Sequence, residues 1–200
     1  PIKGYDAIEF WVGNAKQSAH YYRHAFGFEL EAYAGPETGV RDRASYVLKQ
    51  KSIRFVLTTA LSPISEIAQH QALHGDGVRD VAFTVPDAEE AFRIAIDGGA
   101  QPHMAPTVLT DEHGKVVKAS VKAYGDTLHS FVQRTDYSGP YLPGYETIDE
   151  DPIAERVGLS SIDHVVCNVE LGKMDTWAKW YADIFGFTQF RHFSDEDIST

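Results

Sequence analysis

Residues 5–12 read Tyr-Asp-Ala-Ile-Glu-Phe-Trp-Val, a short apolar run with an aspartate in second place. Two later runs have the same form: residues 79–85 read Arg-Asp-Val-Ala-Phe-Thr-Val, and residues 162–169 read Ile-Asp-His-Val-Val-Cys-Asn-Val. Each run is rich in β-branched and aromatic residues, which is typical of a β-strand. The recurrence of this form three times along the chain indicates an internal repeat.

Each of these runs is followed by a segment in which apolar residues recur at helical spacing. The spacing predicts helices over 15–25, 88–97 and 174–184, with Ala19, Tyr22 and Phe26 on one side of the first. The glycines that follow the first and third segments suit the left-handed position at a helix C-terminus. Before the second segment, the aspartate at position 87 is a natural N-terminal cap.

Further strand-like segments follow the first two predicted helices. They lie at 28–33, 44–49, 53–59, 108–109, 116–124 and 128–133. The repeating module is therefore a strand, a helix and about three strands, and the predicted fold class is α+β with paired βαβββ modules. A third module begins near residue 160, with one more predicted strand over 189–193, so we expect a second domain that is cut short at Thr200.

Residues 136–157 break the pattern of the modules. They contain Ser-Gly-Pro, Leu-Pro-Gly and an acidic stretch before Pro152, which together are typical of a linker. The predicted organisation is a first domain over 1–135, this linker, and the start of a second domain over 158–200.

The composition excludes several classes of function. The formal net charge of −11 makes the chain a poor general binder of nucleic acid or of anionic membranes. Cys167 is the single cysteine, so an intrachain disulfide and a cysteine-based zinc site are impossible, which fits a reducing compartment. No apolar run reaches the roughly 18 residues that a transmembrane helix needs.

The residue after the repeated aspartate is the main candidate for chemistry. It is Ala7 in the first copy, Val81 in the second and His164 in the third. A histidine gained at this one position indicates a metal ligand, although a lone histidine in a strand is usually structural. Strand alternation places His164, Val166 and Asn168 on one face and Cys167 on the other.

The paired modules resemble the vicinal oxygen chelate superfamily, whose glyoxalase-like fold forms a cup-shaped sheet around a metal ion. More narrowly, the chain resembles the 4-hydroxyphenylpyruvate dioxygenase family, and bacterial members are the expected nearest relatives. The segments that carry this resemblance are 5–22, 74–83, 139–145 and 162–169. One departure lies at Cys167, where the family usually has glycine.

The resemblance implies an N-terminal domain without metal and a C-terminal catalytic domain that holds Fe(II) through two histidines and one glutamate. His164 matches the first histidine, and the other two ligands are expected beyond Thr200. Val166 is expected to help form the wall of the substrate pocket. On this interpretation the 200-residue chain alone is inactive.

The implied reaction converts 4-hydroxyphenylpyruvate and O₂ to homogentisate and CO₂, in tyrosine and phenylalanine catabolism. A facial triad of two imidazoles and one carboxylate suits this chemistry, because it leaves positions on the iron for a keto acid and O₂. The implied location is the cytoplasm, and the implied assembly is a homodimer or homotetramer.

Three alternatives remain open. A 4-hydroxymandelate synthase would use the same substrate and iron but would hydroxylate the side chain. A metal-free binding module of the same superfamily would not need His164. An isomerase or lyase of the glyoxalase type would be shorter and would lack the motif at 139–145.

Other polar clusters have simpler interpretations. His20 and His24, like His70 and His74, have the i, i+4 spacing of a helical zinc pair, but neither pair has an evident third ligand. Histidines 20 and 24 are expected on a solvated edge of the first helix. Lysines 115, 118 and 122 predict only a weak positive patch, and the aromatic residues of the third helix are expected to pack in the core.

Overall fold

The structure is a computed structural model that describes residues 2–149 and 157–191. The strands in these residues are β1 (Gly4–Trp11), β2 (Glu29–Ala34), β3 (Arg43–Gln50), β4 (Ile53–Ala60), β5 (Gly77–Thr84), β6 (Gln101–Asp111), β7 (Gly114–Lys122) and β8 (Leu128–Tyr137). The helices are α1 (Ala15–Phe26), α2 (Glu66–His74), α3 (Ala88–Asp97) and α4 (Met174–Phe185), with one turn of 3-10 helix at Pro36–Thr38. In this part of the chain, no helix is long and apolar enough to cross a membrane.

The strands form one mixed sheet in the order β2-β3-β4-β1-β5-β8-β7-β6. In each half the first strand lies parallel to the last, as β1 pairs with β4 and β5 with β8. The two first strands, β1 and β5, pair antiparallel at the centre and join the halves. The predicted pairing of two βαβββ modules, and with it the α+β class, is confirmed.

Local sequence fixes the ends of the helices. The side chain of Asn14 accepts a hydrogen bond of 3.0 Å from the Gln17 amide at the start of α1. Asp87 caps α3 in the predicted way, accepting from the Glu90 amide at 2.9 Å. Gly27 follows α1 with a φ of 71°, a left-handed conformation that glycine adopts without steric cost.

The two faces of the sheet are covered differently. The helix face packs against α1, α3 and α4, and its buried residues include Leu48, Leu57, Val117 and Phe131. The opposite face, here called the inner face, carries Ala7, Val47, Val56, Ala82, Val116 and Val132. Tyr141 and Leu142, in the segment after β8, are buried against the inner face. This segment is held at Glu146, which exchanges two backbone hydrogen bonds of 2.9 Å with Tyr33.

The structure corrects several predicted elements. Residues 162–169 form no strand, because no described strand pairs with them, and an extended segment needs a neighbour to make a ladder. β6 is much longer than the predicted 108–109, and α2 was not predicted as part of the module. In the predicted strand 189–193, residues 189–191 are not in a strand, and 192–193 lie outside the described residues.

Candidate functional site

The inner face carries buried charges at its centre. Asp80 on β5 is 4% exposed, and its carboxylate lies 3.5 Å from Nζ of Lys118 on β7. Asp80 also accepts hydrogen bonds from Ser130, at 3.0 Å from the amide and 2.5 Å from the hydroxyl. Burial lowers the pKa of Lys118, but the carboxylates of Asp80, Glu9 and Asp6 outweigh burial, so that its pKa is raised. Lys118 is therefore a largely buried cation, with 19% of its side chain exposed, that is held by its neighbours.

Asp6, the equivalent of Asp80 in the first module, forms the second buried ion pair. Its carboxylate accepts from Nε of Arg134 at 3.0 Å and from a terminal guanidinium nitrogen at 2.7 Å. Arg134 also donates to the backbone carbonyl of Tyr141. The guanidinium carbons of Arg134 and Arg54 lie 4.9 Å and 5.4 Å from the centre of the Tyr141 ring. The segment after β8 is thereby fixed to the charges of the inner face.

A third group of polar side chains extends along β1, β2, β3 and β4. The hydroxyl of Thr58 donates to Oε1 of Glu9 at 2.8 Å and lies 2.9 Å from the hydroxyl of Ser45. Glu31 binds Arg54 through two hydrogen bonds of 2.6 Å and 2.9 Å. Burial alone would raise the pKa of Glu31, but Arg54 and Lys49 lower it, so this carboxylate is charged at neutral pH.

The charged and polar side chains of the inner face form ion pairs and hydrogen bonds with one another. Each buried carboxylate just described is paired with a cation or a hydroxyl, and Tyr141 and Leu142 cover the face. A catalytic acid or base needs a free position where substrate can meet it. The arrangement is instead typical of a structural polar network, so the inner face of this sheet is a poor candidate for catalysis.

The segment with His164 lies outside the sheet. The side chain of His164 is 71% exposed, and its Nδ1 lies 2.6 Å from Oδ2 of Asp163. A carboxylate can only accept, so Nδ1 donates to Asp163, and Nε2 is the nitrogen through which this side chain could bind a metal ion. Val166 is 78% exposed, while Val165 packs against the helix face. His164 and Val166 are thus both accessible.

The described residues do not form a complete iron site. Within 2–149 and 157–191, no group of three histidine, cysteine, aspartate or glutamate side chains is placed to hold a metal ion. His164 supplies one suitable donor, whereas a facial triad needs three.

Neither of the other histidine pairs belongs to a group that could hold a metal ion within the described part of the chain. His20 and His24 lie exposed on α1, as expected, with ring centres 4.1 Å apart. On α2, His70 is buried against Trp11 with an edge-on contact of 5.1 Å. His74 contacts Asp126 through Nε2 at 2.7 Å.

The interpretation of the three lysines as a weak positive patch is wrong for Lys118. Lys115 pairs with Asp136 at 3.5 Å on the surface, and Lys122 is exposed. Lys118 instead shares the inner face with Val116 and Ser120, because residues two apart on a strand share a face. That alternation was the signal in the sequence that could have identified Lys118 as a residue of the inner face.

One buried contact that sequence reasoning missed joins the sheet to α4. His129 on β8 is 3% exposed, and its Nδ1 lies 3.0 Å from the carbonyl oxygen of Val81. Since a carbonyl can only accept, Nδ1 carries the proton, and Nε2 accepts a hydrogen bond of 2.8 Å from the Tyr181 hydroxyl. Burial lowers the pKa of His129 to about 4, so the ring is neutral at pH 7.

The fold defines the class of protein: paired βαβββ modules in one mixed sheet are the architecture of the vicinal oxygen chelate superfamily, with its glyoxalase-like fold. A family model described as hydroxyphenylpyruvate dioxygenase, N-terminal, matches residues 1–146. The chain belongs to the hydroxyphenylpyruvate dioxygenase family.

Curated relatives agree with this assignment. The 4-hydroxyphenylpyruvate dioxygenase of Dictyostelium discoideum is 41% identical over 205 residues, which cover 100% of this chain and 56% of the relative. The protein of the same name from Yarrowia lipolytica is 40% identical over 207 residues, covering 99% of this chain and 52% of its own length. The chain thus spans about half the length of the curated relatives it matches.

Solved structures show the same fold. A triple mutant of 4-hydroxymandelate synthase from Streptomyces coelicolor superposes with a TM-score of 0.82 at 27% identity, covering 96% of this chain and 55% of the synthase. A methylmalonyl-CoA epimerase from the same organism gives a TM-score of 0.55 at 16% identity, over 66% of this chain and 98% of the epimerase. The epimerase supports the fold alone.

Proposed function

We propose that the protein is an Fe(II)-dependent dioxygenase that converts 4-hydroxyphenylpyruvate and O₂ to homogentisate and CO₂ in tyrosine catabolism. The observation that carries this proposal is the similarity to 4-hydroxyphenylpyruvate dioxygenases over the whole chain, including the segment with His164. Homo-oligomerisation and a cytoplasmic location are part of the same proposal.

We propose different roles for the two parts of the chain, because the charges of the inner face are paired with one another whereas His164 is exposed. Residues 1–135 form a domain whose inner-face charges neutralise one another, and 136–157 link it to a catalytic domain that begins at 158. His164 is the proposed first iron ligand, and its exposed ring with a free Nε2 suits that role. The second histidine and the glutamate are proposed to lie after residue 200. Iron supplies O₂ activation when bound, and the protein holds and encloses it.

The experiment is identification of the product by mass spectrometry. The full protein is incubated with Fe(II), ascorbate, O₂ and 4-hydroxyphenylpyruvate. Homogentisate is the expected product, and its absence would contradict the proposal. His164→Ala should abolish turnover and lower the iron content, whereas His20→Ala, which alters an exposed histidine on α1, should leave both unchanged.

A second candidate function is 4-hydroxymandelate synthesis. It is favoured by the superposition on 4-hydroxymandelate synthase over 96% of this chain. The same incubation separates the two functions, because the synthase reaction yields 4-hydroxymandelate. A protein that bound an aromatic ligand and gave neither product would be a binding module.

A further inference from the structure

Helix α2, which connects the two modules, covers one end of the inner face. Trp11 lies two residues after Glu9 on β1, so the two side chains share the inner face, and the Trp11 indole nitrogen donates to Oε1 of Glu9 at 3.2 Å. His70 of α2 packs edge-on against the Trp11 ring, with ring centres 5.1 Å apart. The helix therefore contacts the inner face through His70.

Few apolar contacts hold α2 in this position, here called the docked state. Among the nine residues of Glu66–His74, only Ile67 and His70 are buried. Leu73, by contrast, is 74% exposed. Segments with little buried apolar surface open locally at a lower free energy than the core of a protein. The attachment of α2 to the sheet therefore depends strongly on its polar contacts.

These polar contacts lie at both ends of the helix. Arg79 on β5 has its guanidinium carbon 4.5 Å from the centre of the Trp11 ring, and it donates to Oε1 of Glu66 at the first residue of α2. Arg79 also donates to the backbone carbonyl of Asp126, in the turn between β7 and β8. The Asp126 carboxylate lies 2.7 Å from Nε2 of His74, the last residue of α2.

The charges around His70 favour its neutral form. The residue is 9% exposed, and its ring centre lies 4.6 Å from that of His74. Burial lowers the pKa of His70, and His74 and Arg79 lower it further. The carboxylates of Asp126 and Glu66 act in the opposite direction, but less strongly. His70 is therefore neutral at pH 7 in the docked state.

The hydrogen bonding of His70 leads to the same conclusion. Among the described residues, Nδ1 of His70 is buried and has no hydrogen-bond partner. In the charged ring both nitrogens carry a proton, so Nδ1 would become a buried donor without an acceptor. A buried donor that lacks an acceptor destabilises the state that contains it. A proton on His70 therefore favours a state in which α2 has left the sheet and water solvates the ring.

We propose that α2 is a clasp over one end of the inner face, and that uptake of a proton by His70 releases it from the sheet. The sheet stays folded, and release exposes Trp11 and the adjacent part of the inner face to solvent. The proposal uses only residues of the first two modules and does not depend on the reaction that the protein catalyses.

Release should occur as the pH falls from 7 to about 5. A solvated histidine has a pKa of ~6.5 and docked His70 a lower one, so the released state binds more protons in this range. The stabilisation of the docked state is therefore present at pH 7 and is lost in mild acid. The Asp126 carboxylate stays charged throughout, because its hydrogen bond with His74 lowers its pKa from the ordinary 3.8.

The first test is amide hydrogen exchange of the full wild-type protein at pH 7 and pH 5, read by mass spectrometry. Each rate is divided by that of an unstructured peptide of the same sequence at the same pH. Protection of α2 should fall about fivefold more than that of α3, a helix without histidine. An equal fall in the two helices would overturn the proposal.

Variants of single histidines assign the effect to His70. His70→Gln cannot take up a proton there, so the additional loss of protection in α2 at pH 5 should disappear. The pKa of His103 on β6 is also lowered, by burial and by Arg79, so His103→Gln tests the other ring near this cluster. We expect His103→Gln to retain the wild-type response, as should His20→Gln, which alters an exposed position of α1. A response kept in His70→Gln, or lost in His103→Gln, would contradict the assignment.

Discussion

The hydroxyl of Tyr181 on α4 donates a hydrogen bond of 2.8 Å to Nε2 of His129 on β8. The two residues come from opposite sides of the linker. His129 is held in turn by the Val81 carbonyl, which fixes the tautomer in which Nε2 can accept. A neutral, buried histidine of the sheet therefore fixes the helix that follows the segment containing His164.

Removal of this hydrogen bond should loosen α4. Tyr181→Phe keeps the ring but leaves Nε2 of His129 buried without a donor, which costs about 1–3 kcal/mol. We expect a lower urea midpoint and faster amide exchange over Met174–Phe185. Tyr21→Phe on α1 is the control, because the Tyr21 side chain is 57% exposed. Equal losses in the two variants would show that the bond contributes nothing.

The lowered pKa of His129 predicts a loss of stability in acid. Its pKa is about 4 in the folded protein and ~6.5 in the unfolded chain, so the unfolded chain binds more protons between these values. The free energy of unfolding should therefore decrease as the pH falls from about 6.5 to 4, by up to ~3 kcal/mol from this residue.

Urea titrations at pH 7, 5.5 and 4.5 check this prediction. His129→Gln cannot titrate and should reduce the pH dependence, whereas His20→Gln, at an exposed position, should retain it. Part of the pH dependence of the free energy of unfolding should remain in His129→Gln, because burial also lowers the pKa of His70 and His103. The same pH dependence in wild type and His129→Gln would contradict the assignment.

The buried pair of Lys118 and Asp80 should be sensitive to loss of one partner. Lys118→Met leaves the Asp80 carboxylate buried with only its Ser130 hydrogen bonds, and removal of one member of a buried pair costs about 3–5 kcal/mol. Lys122→Met is the control, since Lys122 is exposed on the same strand. The free energy of unfolding of both variants is measured by denaturation at pH 7. Adding Asp80→Asn to Lys118→Met should recover part of the loss, and no recovery would argue against charge as the cause.

Tyr141 links the segment after β8 to two arginines. Tyr141→Leu keeps an apolar side chain but removes the ring over which Arg54 and Arg134 lie. Cation–π contacts are worth roughly 0.5–2 kcal/mol each, so the free energy of unfolding should decrease by about 1–3 kcal/mol. Tyr21→Leu, at an exposed position, should have a much smaller effect in the same denaturation experiment. A loss no larger than that of Tyr21→Leu would contradict a role for the ring.

Much of the fold could be predicted because its signals are local. The apolar spacing and the capping aspartate at position 87 gave the bounds of α3 correctly, and the repeated aspartates at 6 and 80 identified the equivalent strands. β6 was harder to predict, because most of its residues are exposed and it contains two prolines, so it lacks the usual alternation. The helix α2 was missed because it buries only Ile67 and His70.

The remaining features depend on contacts between distant parts of the chain. Lys118 is buried because its strand faces Asp80, and His129 binds a residue 52 positions away. Residues 162–169 have the composition of a strand, but pairing also requires a neighbouring strand, which composition does not specify. The role of His164 as a metal ligand stays a prediction, because a complete metal site depends on residues that the tertiary fold brings together.

Val166 provides a test of the proposed substrate pocket. Its side chain is 78% exposed and lies two residues from His164, so Val166→Phe places a larger group beside the proposed iron ligand. If the pocket forms there, the added bulk should raise the KM for 4-hydroxyphenylpyruvate several-fold or divert product from homogentisate to 4-hydroxymandelate. Leu171→Phe adds a ring at an exposed position and should change neither quantity. Steady-state kinetics with product analysis measures both, and wild-type values for Val166→Phe would exclude Val166 from the pocket wall.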